Sequence, residues 1–96
     1  MTYLDALASK IRINVSAGIG IPDDSDDLFL LYALVARVKG LQVNTRDVHD
    51  AWVAWMQARG ENHASMVPFE ELDAAIRRED EPFVDAIRRS LEEMKQ

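Results

Sequence analysis

The segment from Ser25 to Lys39 most constrains the fold. Leu28, Phe29, Leu31, Tyr32, Leu34, Val35 and Val38, set at 100° intervals, cover well over half the circumference of a helix. A helix apolar on most of its sides needs other elements packed around it, so this one is central. Ser25 stands where an N-cap belongs, and Asp26 and Asp27 complement the positive end of the helix dipole. Gly40 follows Lys39 as a natural C′ residue.

Three further helical patterns supply the cover. Thr2 to Val15 carries an apolar stripe of Leu4, Leu7, Ala8, Ile11 and Val15, with Thr2 as cap and Asp5 three residues on. Leu41 to Val43 reads as a short extended link. Thr45 then caps a helix to about Arg59, whose inner face is Val48, Ala51, Trp52, Trp55 and Met56, and Gly60 closes it. Pro68 opens a short helical segment through about Ile76. A last helix runs from Asp80 as cap, through Pro82, to about Met94, with Phe83, Val84, Ile87, Leu91 and Met94 facing inward. No useful period-2 alternation occurs. The expectation is one all-α domain over residues 1–96, a compact bundle of four to five helices around an apolar second helix.

With 96 residues and a formal charge of −6, the chain repels a phosphate backbone, so no nucleic-acid partner is expected. Its longest apolar run, Leu28 to Ala36, is nine residues, too short to span a bilayer. No cysteine is present, and Met-Thr-Tyr-Leu-Asp has neither a basic nor an apolar leader region. A cytoplasmic address and no membrane partner are expected.

No enzyme signature survives inspection. Asp23, Asp24, Asp26 and Asp27 lack the glycine and glutamate spacing of a calcium loop. His49 and His63 have no partners at zinc spacing. The serines lack a nucleophile-elbow context, and Gly18-Ile19-Gly20 has neither a third glycine nor a lysine. No metal, no cofactor and no catalytic residue are expected.

Two resemblances add to this. His49-Asp50-Ala51-Trp52 with Gly60 eight residues past the Trp, then His63-Ala64-Ser65-Met66-Val67-Pro68-Phe69-Glu70-Glu71-Leu72 and the charged turn Arg77-Arg78-Glu79-Asp80, resemble a ryanodine-receptor repeat domain over residues 45–91. In that frame Val-Pro-Phe drops Phe69 into the core, and Trp52 anchors one helix against its neighbours. The resemblance implies a small nucleotide-like ligand held near His49, Trp52, Arg59 and His63. Glu61-Asn62 stands where such repeats carry a stacking aromatic segment, so adenine nucleotides should bind no tighter than about millimolar. The whole chain also resembles small proteins of actinobacteria and their phages, through Leu-Phe-Leu-Leu-Tyr and Val-His-Asp-Ala-Trp.

The function expected first is a protein-interaction module, such as a phage or prophage accessory protein with a protein partner. The alternative is a binder of a nucleotide-like small ligand. On the second helix, Leu30, Ala33 and Arg37 point away from the apolar arc. Leu30, with the loop residues Ile19 and Ile21, is therefore the expected interface of a homodimer.

Overall fold

In a computed structural model, which describes residues 1–95, the chain is all-helical: α1 (Tyr3–Asn14), α2 (Asp26–Lys39), α3 (Thr45–Ala58), a five-residue α4 (Ala74–Arg78) and α5 (Glu81–Met94). Single 3-10 turns lie at Gly40–Gln42 and Phe69–Glu71. Among the described residues no helix is long and apolar enough to cross a membrane.

The caps explain where the helices start. Thr2 and Asp5 form a reciprocal capping box, Asp5 N–H donating to Thr2 Oγ1 and Thr2 N–H to Asp5 Oδ2. The hydrogen bond from the Thr2 backbone holds the Asp5 carboxyl below its ordinary value. At α3 the cap is Asn44, one residue before the expected Thr45, and Asn44 pairs with Asp47 in the same reciprocal way. Ser25 occupies the N-cap position of α2 but makes no capping bond; its buried hydroxyl accepts from Arg12 instead. Gly40 and Gly60 end their helices with φ of 57° and 72°, left-handed values that a side chain resists.

α2 packs against α1, α3 and α5, so the central position expected of it is the one it takes. It runs antiparallel to α1. Near the end of α1, Arg12 reaches Asp26 at 3.0 Å and lies over the Phe29 ring, while Tyr3 at the start meets Arg37. The core gathers Leu7 and Ile11 of α1, Phe29, Ala33 and Ala36 of α2, Val43, Val48 and Trp55 around α3, and Ile87 of α5.

Several expectations give way to tertiary packing. The strip thought to face outward faces α1: Ala33 is 0% exposed, Leu30 is half-buried and Arg37 stacks on Tyr3. Leu34 and Val38 take the outer side, 48% and 73% exposed. Where an extended link is expected over residues 41–43, Leu41 and Gln42 belong to the Gly40–Gln42 3-10 turn, and only Val43 is extended. The segment from Pro68 to Ile76 is broken, because Leu72 and Asp73 adopt extended backbone between the 3-10 turn and α4. Phe69 does not drop into the core; it sits half-buried between the guanidinium groups of Arg46 and Arg77. Met94 is exposed.

Candidate functional site

The α1–α2 loop, one side of α2, the outer half of α3 and the α4–α5 turn enclose a cleft of about 630 Å³. That volume lies in the range of roughly 300–1,000 Å³ typical of small-molecule sites. Ile19 and Pro22 come from the loop, Leu28 and Tyr32 from successive turns of α2, and His49 and Trp52 from one face of α3. Ile76, Asp80 and Phe83 close the far wall, and His63 and Ser65 reach in from the loop after α3.

Each imidazole has one nitrogen committed. His49 is buried, and its Nε2 lies 2.7 Å from the Val67 carbonyl oxygen, a contact that requires Nε2–H as donor. His63 accepts the Ser65 backbone N–H at Nδ1, 3.0 Å away, and its ring meets Trp52 edge-on with centroids 5.4 Å apart. The His49 and Trp52 rings are 5.9 Å apart. Trp52 is half-buried, not buried as a core anchor would be, because one side of its indole lines the cleft.

Asp80 is the unusual group. It stands at the N-cap position of α5, yet its backbone is helical, with φ −87° and ψ −12°, and its side chain makes no capping bond. Among the described residues it has no ion-pair partner within 4.0 Å. Burial pushes its carboxyl up to about 6; His49 opposes that rise and Glu79 adds to it. Burial, and then the charge of Asp80, raise the Tyr32 phenol well above its usual value. At neutral pH that hydroxyl stays protonated and able to donate.

Of the residues expected to hold a ligand, His49, Trp52 and His63 converge on the cleft. Arg59 does not: it lies over the Trp55 ring at 4.4 Å and pairs with Glu61 at 3.2 Å. The three expected interface residues share no face either. Ile19 lines the cleft, Ile21 packs on the core, and Leu30 lies on the strip toward α1. Tyr32, Asp80 and Phe83 escaped sequence reasoning because each already had a structural explanation: core aromatics for Tyr32 and Phe83, a helix cap for Asp80. The only signal pointing to Asp80 was its place in the charged turn Arg77–Asp80. Among the described residues, no three His, Asp or Glu side chains cluster as metal ligands would.

No curated protein and no solved structure matches the chain. One family model does, over residues 2–92, and every wall of the cleft from Ile19 to Phe83 falls inside that match. By this match, the chain belongs to the DUF7701 family, described as a domain of unknown function.

Proposed function

We propose that this domain is a non-catalytic binding module whose recognition element is the cleft at Trp52, and that the cleft takes a small ring-bearing ligand. The observation that carries this is a concave, mostly apolar site containing a desolvated carboxylate that the fold does not use. Trp52 and Phe83, both half-buried, offer aromatic surface to a flat ligand, with the buried Tyr32 ring packed against Phe83. Glu79 and Asp80 in the same cleft repel phosphate, which favours a ring compound over an anionic nucleotide. The likeness of residues 45–91 to a ryanodine-receptor repeat supports the same site, since His49, Trp52 and His63 all come from that stretch. One nitrogen of each cleft imidazole is held by the backbone, His49 Nε2 by the Val67 carbonyl and His63 Nδ1 by the Ser65 N–H. The test is amide NMR of labelled protein titrated with neutral and charged ring fragments. Shifts clustered at Gly20, Trp52, Ile76 and Phe83 are expected; scattered or absent shifts would remove the cleft as the recognition element.

A second reading, protein docking, is favoured by one observation. Leu34, Val38 and Leu41 remain exposed on one side of α2 and the turn after it. A second copy of the chain is the occupant we assign, since two-fold pairing is the commonest mode of self-association. An accessory role in a phage or prophage belongs with this reading. Sedimentation of the wild type beside Val38→Glu tests it: a wild-type dimer broken by the substitution supports docking, and a wild-type monomer ends it.

A further inference from the structure

Taking the cleft as the recognition element, we propose that its ligand is an organic cation, a protonated amine carried on a flat apolar body. Asp80 would be its counter-ion, and Trp52 and Phe83 its aromatic wall.

The distribution of arginines over aromatic rings points to this. Outside the cleft wall, every aromatic side chain carries a guanidinium: Arg37 over Tyr3, Arg12 over Phe29, Arg59 over Trp55, and both Arg46 and Arg77 over Phe69. The three rings that line the cleft, Tyr32, Trp52 and Phe83, carry none among the described residues. Tyr32 is buried against Phe29 and Phe83, so it is Trp52 and Phe83 that keep π surface not occupied by the protein's own cations, and a ring face attracts a cation most strongly where water is thin.

Charge agrees. Asp80 neither caps α5 nor pairs with a basic residue. The other ionisable groups facing the cleft are Tyr32, His49, His63, Arg78 and Glu79. With the phenol protonated, Arg78 offsets one of the two carboxylates and leaves the other unmatched by an arginine or lysine in the cleft. Arg78 and Glu79 are exposed at the rim, whereas Asp80 is partly buried, so its charge is the less screened. A carboxyl titrating near 6 without a partner gains a reason to ionise when a cation arrives. Amine affinity should therefore rise with pH through about 6. Asp80→Asn should remove that rise.

Three probes sharing one ring system test the inference by calorimetry, with amide NMR to locate binding: tryptamine as cation, tryptophol as neutral analogue and indole-3-propionate as anion. At pH 7.5, tryptamine should bind about tenfold tighter than tryptophol, the scale of one charge-assisted contact, and the anion weakest. Asp80→Asn should lower tryptamine to the level of tryptophol and leave tryptophol unchanged. Equal affinity for all three would overturn the cationic ligand while keeping the cleft as a binding site. A tryptamine preference that survives Asp80→Asn would also overturn it. Cleft amides unmoved by any probe would overturn both the cation and the cleft.

Discussion

Two polar clusters in this molecule make opposite use of burial. On the seam between α1 and α5, the Asn14 amide donates to Ser90 Oγ and to Glu93, both at 2.9 Å, and Ser90 Oγ donates to the Ala86 carbonyl at 2.7 Å. Ser90 is 0% exposed and its hydroxyl both accepts and donates. In the cleft, Asp80 is partly desolvated and neither caps its helix nor forms an ion pair. A buried polar group is ordinarily satisfied, because leaving it unpaired costs about 1–3 kcal/mol. The seam follows that rule as a structural joint does. The Asp80 carboxyl is only partly buried and keeps solvent contact, but among the described residues it has no protein partner, as a group awaiting a ligand does.

Four substitutions probe this contrast, and urea denaturation measures each. The largest effect should come from Ile11→Ala on the sealed side, where a fully buried side chain leaves a cavity: a loss of about 2–5 kcal/mol. Trp52→Ala removes a larger side chain but should lose only about 1–2 kcal/mol, because part of the indole already meets water in the cleft. A Trp52 loss matching that of Ile11 would make Trp52 a core residue and erase the distinction.

Ser90→Ala deprives Asn14 of one acceptor and should destabilise by about 1 kcal/mol. Asp80→Asn should act in the opposite direction. Because the folded-state carboxyl titrates near 6 rather than at its ordinary 3.8, the folded protein binds more protons than the unfolded chain between those values. Stability contributed by Asp80 is therefore highest below about pH 4, falls as pH rises through 6, and is constant above. Partial exposure screens the penalty, so Asp80→Asn should gain about 1 kcal/mol at pH 7.5 and nothing near pH 4. A variant destabilised at neutral pH would place Asp80 among the structural groups of the seam.

Much of the fold was legible because local chemistry decides it. Thr2 with Asp5, the glycines at 40 and 60, and the period of the apolar residues mark helix ends and inner faces whatever packs against them. The errors share one cause. Hydrophobic periodicity on α2 left Leu30 and Ala33 on the outer side, but a helix packed closely against α1 places a small residue at the contact. Ala33 is buried there while Leu34 and Val38 stay outside. Likewise Phe69 fits a core motif by spacing, but Arg46 and Arg77, distant in sequence, hold it between them near the surface.

The candidate site divides along the same line. Sequence spacing alone put His49 and Trp52 on one face of a helix, because three residues make nearly a full turn. It also determined the helix count, the capping of α1 and the centrality of α2, all of which depend on neighbours within a few positions. That Tyr32, Asp80 and Phe83 meet those two residues across a cleft, and that Arg59 turns away to Trp55, was decided only by the tertiary structure. The reason is physical: desolvation, and the pairing of charges with rings, depend on groups brought close in space by chain segments far apart in sequence.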